Sequence, residues 1–315
     1  MSLWRRKKRR REKETPKDDG VIGMDVNKWT YENLYGWGRE QLLSAAVPDA
    51  GVDARLLLEW CCKTDRNTLL AHGEREISAE EELGYRQAVA RRMDRVPLQY
   101  IVGEQEFMGL TFEVNKDVLI PRQDTEVLVE EVLRELHDGM HVLDLCTGSG
   151  CILLSLLHYS NDCTGVGADI SPEALQTARR NAGRILQMNA EEREPQAVFR
   201  MSDLFLGIPA EERFDIIVSN PPYIRTDVID TLMPEVKDYE PLSALDGRED
   251  GLFFLQKIVS QAGEWLYGGG MLFLEIGYDQ GEAVRRLMEA EGYDQVEILK
   301  DYAGNDRVAK GVKRI

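Results

Sequence analysis

Apolar positions change their period twice along the chain. Between residues 28 and 95 they recur at helical spacing. Leu56, Leu57, Leu58 and Trp60 belong to one amphipathic stretch with Asp53 near its start. Ser78 followed by Glu81 makes a capping box for a second helix, which runs to about Met93. After Pro97 the pieces become short and β-prone. Tyr100-Ile101-Val102 and Leu110-Thr111-Phe112-Glu113-Val114, separated by Gly103 and Gly109, predict a hairpin that links two domains. From about 124 helical and strand periods alternate, which predicts an α/β protein with a parallel sheet. The predicted strands are His141–Leu145, Thr164–Ala168, Ala197–Met201, Phe214–Ser219, Gly270–Ile276, Gln295–Leu299 and Arg307–Val312. Val142–Leu145 and Asp215–Val218 are short apolar runs suited to buried central strands. No internal repeat is visible.

This divides the 315 residues into a basic tail (1–27), a helical domain (28–95), a hairpin linker (96–122) and an α/β domain (123–315). Hydrophobic residues make up 43%, enough for one large core and a smaller one. No run approaches the ~18 apolar residues of a membrane span, so a soluble protein is expected.

Charge sharpens the picture. Residues 1–20 hold nine Lys or Arg against four acids, a net of +5 within an overall −17, so the body carries −22. Binding of bare nucleic acid rests on cationic contacts to phosphate, and this body is a poor match for it. A protein or small-molecule partner fits better. The run Arg5 to Arg11 reads either as a nucleic-acid or membrane-surface arm or as a disordered leader, with Met24 as the true start; the second reading is preferred. No apolar stretch follows the charges, so a secretory signal is not predicted. Five cysteines, two of them adjacent (Cys61, Cys62), form neither a disulfide framework nor a zinc pattern. Reduced thiols in a cytoplasmic protein are expected. The helical region carries no glycine-rich loop or His/Asp/Glu cluster and reads as a recognition or packing unit.

Three motifs carry chemistry. In Val142-Leu143-Asp144-Leu145-Cys146-Thr147-Gly148-Ser149-Gly150-Cys151 a strand runs into a glycine-rich turn and then a helix. Gly148 and Gly150 let the backbone approach a ligand closely, and such turns at strand carboxyl ends are where open α/β sheets bind cofactors. Leu153 stands where a dinucleotide fingerprint needs its third glycine, so no pyrophosphate cradle is specified. The acid ahead of the glycines suggests a cationic ligand, such as a sulfonium or its amino group. Asp169, 21 residues after Gly148, ends the next strand at the distance expected of an acid that bonds ribose hydroxyls. Ser171 and Pro172 then open a helix. The two motifs together predict a nucleoside-type cofactor.

The third motif is Ser219-Asn220-Pro221-Pro222-Tyr223, directly after an apolar strand. Two consecutive prolines remove two N–H donors and stiffen the loop, leaving carbonyls free to accept hydrogen bonds from a substrate. Asn220 adds a carbonyl acceptor and an NH2 donor; Tyr223 offers a flat face for a planar group. Two acceptors, the Asn220 Oδ1 and the Pro221 carbonyl, can hold the two donors of a substrate NH2.

At this point the chain resembles the class I methyltransferases that act on planar NH2 groups through an Asn-Pro-Pro-Tyr loop. Within them it is similar to the peptide chain release factor N5-glutamine methyltransferases, the HemK/PrmC family. The resemblance extends through Pro97-Leu98-Gln99-Tyr100-Ile101-Val102-Gly103 with Glu106-Phe107, through Leu119-Ile120-Pro121-Arg122-Gln123-Asp124-Thr125-Glu126, and through Asp301-Tyr302-Ala303-Gly304-Asn305-Asp306-Arg307-Val308. It covers the chain from about residue 30 to its end. It implies a Rossmann-like, mainly parallel seven-stranded sheet with an antiparallel last strand, and S-adenosyl-L-methionine as cofactor. It further implies methylation of N5 of the glutamine of a Gly-Gly-Gln motif in class I release factors, by a cytoplasmic monomer without nucleic-acid, membrane or metal partners.

Carried over by resemblance, Cys146, Thr147, Gly148, Ser149, Gly150, Asp169, Leu204 and Asn220 form the cofactor site, with Ser202 and Asp203 beside the adenine. Asn220, Pro221, Pro222 and Tyr223 hold the glutamine, and Asn220, Pro221 and Tyr223 carry catalysis. Three positions depart from the family pattern: Cys146 replaces a commoner glycine, Leu204 a frequent aromatic, and Gln123 a common proline. None of the four histidines (His72, His137, His141, His158) falls in these motifs, and no catalytic histidine is expected. Rival readings are a ribosomal-protein glutamine methyltransferase, a DNA or RNA amino-methyltransferase with the same loop, and a cofactor-binding module without catalysis.

Overall fold

Thr30 and Ser78 each close a capping box, the side chain accepting from the third residue of the helix while that residue's side chain returns a bond to the cap. They open α1 (Tyr31–Ser44) and α4 (Ala79–Met93), the latter with the limits its sequence predicts. Between them lie α2 (Ala50–Cys62) and α3 (Arg66–Ala71). The computed structural model describes residues 28–186 and 196–315; the basic tail 1–27 and residues 187–195 lie outside the described residues. Leu34, Leu42, Leu57, Leu58, Tyr85 and Val89 form the core of this bundle. Gly38 is obligatory there: a Cβ would run into the Tyr85 hydroxyl, which donates to the Ala54 carbonyl at 3.1 Å.

The expectation of a strand at Tyr100–Val102 is overturned. Leu98–Val102 is one helical turn, α5, started at Pro97 and ended by Gly103 at φ +82°. Burial decides this: Ile101 drops into the bundle core at 4% exposure, outweighing the β-preference of Tyr, Ile and Val, which is a weak and context-dependent term. The hairpin itself is present as β1 (Glu104–Phe107) and β2 (Leu110–Glu113). Its two turn residues, Met108 and Gly109, both have positive φ, the geometry that matches strand twist in tight hairpins.

Beyond the hairpin, α6 (Gln123–Glu135) leads to the large sheet of β3 (His141–Leu145), β4 (Thr164–Asp169), β5 (Ala197–Met201), β6 (Phe214–Ser219), β7 (Leu266–Glu275), β8 (Tyr293–Lys300) and β9 (Asp306–Lys313). Its order is β5-β4-β3-β6-β7-β9-β8. All pairings are parallel except those of β9, which runs antiparallel to both β7 and β8. β7 begins four residues before its predicted start, because Gly268-Gly269-Gly270 reads as a turn yet runs as strand. Alternation divides the core: Val142, Ile216 and Val218 face one layer with α7 (Cys151–His158) and α8 (Pro172–Ile185). Leu143, Leu145 and Ile217 face the other with α12 (Phe253–Ala262) and α13 (Gly281–Ala290). Strand order reverses between β3 and β6, and clefts at carboxyl ends beside such a reversal are the binding sites of open α/β sheets.

Between β6 and β7 the chain makes three short helices, α9 (Thr226–Ile229), α10 (Pro234–Lys237) and α11 (Leu242–Leu245). The bundle grips this segment. Arg92, 6% exposed, places Nε 2.7 Å from Asp53 Oδ2 and Nη1 2.8 Å from Glu235 Oε1. Arg95 reaches both Glu235 oxygens at 2.7 Å. No described helix is long and apolar enough to cross a membrane.

Candidate functional site

At the carboxyl end of β3 the backbone takes positive φ at Cys146 (+59°), Gly148 (+54°) and Gly150 (+80°). These alternating left-handed residues fold the strand back into α7. At Cys146 a non-glycine residue occupies that region, at a cost of roughly 1–2 kcal/mol. Gly148 has open space where a Cβ would stand, so the loop leaves room for a ligand there. Thr147 N donates to the Ala168 carbonyl at 3.0 Å, and Gly148 N to Asp169 Oδ2 at 2.9 Å, tying the loop to the end of β4. Ser171 N donates to the other Asp169 oxygen at 2.9 Å. Each oxygen keeps a lone pair for a further donor. Burial raises the Asp169 carboxyl above its usual range, against the pull of the Ser171 and Gly148 N–H groups.

A cavity of about 380 Å³ opens over this loop, within the size range of small-molecule sites. Cys146, Gly148, Asp169, Leu204 and Asn220 line it, together with Ser202 and Asp203. Thr147, Ser149 and Gly150 are not on its wall. The Thr147 hydroxyl donates to Asp144 Oδ2 at 2.6 Å, the Ser149 carbonyl accepts from Asn181 at 2.9 Å, and Gly150 caps α7. They hold the loop's shape from behind. Asp144, the acid ahead of the glycines, does not face the cavity either. It is fully buried, its Oδ1 has no hydrogen-bond partner, and burial pushes its carboxyl up to about 7. Its observed partner is the loop's own threonine, not an exposed ligand position.

β6 ends beside β3, where the Ser219 hydroxyl donates to the Leu145 carbonyl at 2.7 Å. Asn220, Pro221, Pro222 and Tyr223 follow. Asn220 is on the wall of the 380 Å³ cavity and also on that of a second one, of about 200 Å³, which it shares with Pro221, Tyr223 and Glu275. Together with Leu119 and Ala244, which line both as well, Asn220 therefore stands at the boundary between them. Its Nδ2 donates to the Thr125 hydroxyl at 3.3 Å. Among the described residues no donor reaches Asn220 Oδ1 or the Pro221 carbonyl. Both residues line the smaller cavity, and these two oxygens are left without a donor from the described residues.

Tyr223 is fixed at both ends. Its hydroxyl donates to Glu275 Oε1 at 2.9 Å, and its carbonyl accepts from Gln280 Nε2 at 3.1 Å. Burial, with the Glu275 charge beside it, holds the phenol well above its ordinary pKa, so it stays a donor at neutral pH. Arg307 lies behind this pair, 3.5 Å from the Tyr223 oxygen and paired with Asp301 at 3.1 Å and Asp124 at 3.2 Å. The segment 224–247 closes over the other side: Ile224 N donates to the Leu245 carbonyl at 3.0 Å and Gly247 N to that of Ile224 at 2.7 Å. Val236, Ala244 and Leu245 from it line the small cavity.

Sequence reasoning missed Thr125 and Glu275 as members of the site. Glu275 had a signal: it is an acid at the end of the apolar run Leu272-Phe273-Leu274, and Leu274 is in register with Ser219 of β6. Thr125 sits in the stretch that carries the family resemblance. Thr125 and its two neighbours make long-range ties: Asp124 to Arg307, Thr125 to Asn220, and Glu126 Oε1 to the turn N–H of Met108 at 2.7 Å. A larger groove of about 910 Å³ lies on the helical bundle between α1, α2 and α3; its walls mix charges of both signs and carry none of the motifs.

Comparison with known proteins gives two family models. One described as PrmC N-terminal domain matches residues 33–103, and one described as methyltransferase domain matches 136–285. Among curated relatives, the release factor glutamine methyltransferase of Clostridium botulinum is 42% identical over 86% of this chain and 95% of its own length. Those of Caulobacter vibrioides and Geobacter sulfurreducens are 40% and 41% identical, over 91% and 90% of this chain and 96% of each relative.

Proposed function

The chain belongs to the release factor glutamine methyltransferase family, and from that premise we propose that it methylates N5 of the glutamine in the Gly-Gly-Gln motif of class I peptide chain release factors. The sheet is that of the class I methyltransferases, and the cofactor is S-adenosylmethionine. The observation that carries the assignment of roles is the position of Asn220. It stands at the boundary of a cofactor-sized cavity and a small one, and its Oδ1 and the carbonyl of the adjoining Pro221 have no donor from the described residues.

When bound, S-adenosylmethionine supplies an electrophilic methyl group on a positively charged sulfur. The residues present fit it: Gly148 leaves space against the backbone, and Asp169 offers carboxylate lone pairs to ribose hydroxyls. Cys146, Ser202, Asp203 and Leu204 complete the wall. An amide nitrogen is a poor nucleophile, because its lone pair is delocalised into the carbonyl. The chain's contribution is therefore positional. Asn220 Oδ1 and the Pro221 carbonyl take the two N–H groups of the glutamine amide and aim its nitrogen toward the cofactor cavity. Such positioning is worth up to roughly 7–11 kcal/mol. The same oxygens favour the positive charge that develops on nitrogen. Pro221 and Pro222 keep the loop rigid, and Tyr223, held through Glu275 and Gln280, forms the back wall.

Asp169→Ala is expected to weaken cofactor binding about tenfold, the value of one charge-assisted hydrogen bond of roughly 1.5 kcal/mol. Titration calorimetry with the cofactor reads this directly; unchanged affinity would take Asp169 out of the site. The substrate test uses cofactor labelled in its methyl group, offered separately to a class I release factor, a ribosomal protein extract, DNA and RNA. Label on the release-factor glutamine, located by mass spectrometry, supports the reading. Label on a base or on a ribosomal protein alone would overturn it. The body's charge of −22 favours the protein substrate over nucleic acid, and a translation factor as substrate makes the cytoplasm the place of action.

A further inference from the structure

We propose that Arg95 of the helical bundle is a positioning residue for methylation: through Glu235 it sets Val236 against the cavity that takes the substrate glutamine. The inference deepens the assignment of the small cavity to the glutamine, and rests on that reading.

That wall needs an anchor from outside. Val236 lines the cavity of about 200 Å³ and lies in α10, a single turn of four residues, none of them buried. A helix this short does not hold itself together in water. With no residue of the turn in a core, packing does not fix where it stands. Its backbone bonds are local: Val236 and Lys237 donate to the Met233 carbonyl, Asp238 to that of Pro234 and Glu240 to that of Val236. They give the turn its shape but not its distance from Asn220. Leu245, on the same wall, is tied back to the Asn-Pro-Pro-Tyr loop through Ile224. Among the described residues Val236 has no such tie.

The bundle supplies the anchor. The chain leaves α4 after Met93, and the residues around that end reach across to the segment. Arg92 Nη1 lies 2.8 Å from Glu235 Oε1, and the Asp94 carbonyl accepts the Tyr239 hydroxyl at 2.5 Å. Arg95 grips Glu235 as a fork, Nε on Oε1 and Nη2 on Oε2, each at 2.7 Å. Two parallel bonds of this kind fix direction as well as distance. Glu235 is the immediate neighbour of Val236, so what fixes one carboxylate fixes the wall beside it.

The backbone at Arg95 points the same way. Its φ is +67°, just past the end of a helix, where glycine is the favoured residue. An arginine is strained there. Its side chain meets Glu235 and, through Nη1, the Ala46 carbonyl at 3.2 Å. The fork on Glu235 is what a glycine could not supply.

The test is Arg95→Gly in the full chain, which removes the fork and relieves the backbone. Glu235 keeps Arg92, so the unfolding midpoint should stay close to that of the wild type. Amide hydrogen exchange of the free enzyme should quicken across α10 and stay unchanged in α1 and α2. With a class I release factor as substrate, kcat should fall about tenfold, within the ~100-fold that a misplacement of about 1 Å can cost. KM and cofactor affinity should stay within about twofold. In a Val236→Ala background the same change should cost clearly less, because the side chain it positions has been cut back. Arg95→Lys keeps a cation without the fork and should fall between; it carries the same measurements if Arg95→Gly loses stability. Unchanged exchange across α10, a wild-type kcat, or an undiminished penalty in the double variant would each overturn the proposal. So would a raised KM at normal kcat, the mark of a bundle that only docks the release factor. If the wild type places no label on the release-factor glutamine, the reading of the cavity fails first, before any variant is compared.

Discussion

Replacing Asn220 by alanine is expected to slow methylation about 100-fold or more, with a much smaller change in cofactor affinity. The magnitude follows from what the side chain does. Preorganised polar groups aimed at developing charge are worth about 10²–10³ in rate each when removed. Asn220 combines such a group with the orientation of the nucleophile. Its Oδ1 is unpaired and its Nδ2 already engaged by Thr125, so the acceptor is fixed before substrate arrives. Truncation also opens part of the boundary between the two cavities, both of which Asn220 lines. Single-turnover measurements at saturating cofactor separate this from a binding defect. A variant within a fewfold of the normal rate would remove Asn220 from the mechanism.

Arg92→Met is expected to cost about 3–5 kcal/mol of folding stability, the range seen when one partner of a buried ion pair is taken away. Arg92 is 6% exposed and bridges Asp53 of the bundle to Glu235 of α10. Without it Asp53 loses its cation, and Glu235 keeps only Arg95. The deficit should read out in urea denaturation, and the triple variant Asp53→Asn, Arg92→Met, Glu235→Gln should regain most of it, since no uncompensated charge is left. A loss below about 1 kcal/mol would mean that solvent reaches the pair freely. The pH dependence has a definite sign. Burial pushes the Glu235 carboxyl up, but the hydrogen bonds from Arg95 and Arg92 more than offset it, leaving it below its usual 4.5. A depressed carboxyl stabilises the fold at pH above 4.5, and this contribution is lost as pH falls through the lower folded value. Stability of the wild type near neutral pH should therefore be insensitive to this group, with the difference from Arg92→Met narrowing below pH 4.5.

That bridge also bears on the site. Glu235 belongs to the segment between β6 and β7, whose Val236, Ala244 and Leu245 wall the small cavity. The helical bundle is thus anchored to the wall that follows the Asn-Pro-Pro-Tyr loop, although the two are more than a hundred residues apart in sequence.

Much of the fold is legible locally. His141–Leu145, Ala197–Met201 and Phe214–Ser219 form strands with the limits read from the sequence, because short apolar runs between polar breakers have one way to be buried. The Ser78–Glu81 cap is equally local, two side chains satisfying two orphan N–H groups within one turn. Asp169 and the glycine-rich turn meet as their spacing implies, since a βαβ unit returns the chain to the neighbouring strand at a fixed distance.

Other features belong to the tertiary structure alone. Tyr100–Val102 forms a helical turn because the bundle has a place for Ile101, and no three-residue pattern can report a hole elsewhere in the molecule. Asp144 turns inward to Thr147 because the cavity lies over the loop, whereas the end of β3 lies beneath it. The loop after β6 is tied to the first turn of α6 through Asn220 and Thr125, and to the end of β7 through Tyr223 and Glu275. Residue order determined which chemistry was available: acceptors on a proline-stiffened loop, a carboxylate for a ribose, glycines for close approach. Where those groups stand was decided only when three distant segments packed together, because the partners that hold Asn220 and Tyr223 lie on α6 and β7, which adjoin the loop only in the fold.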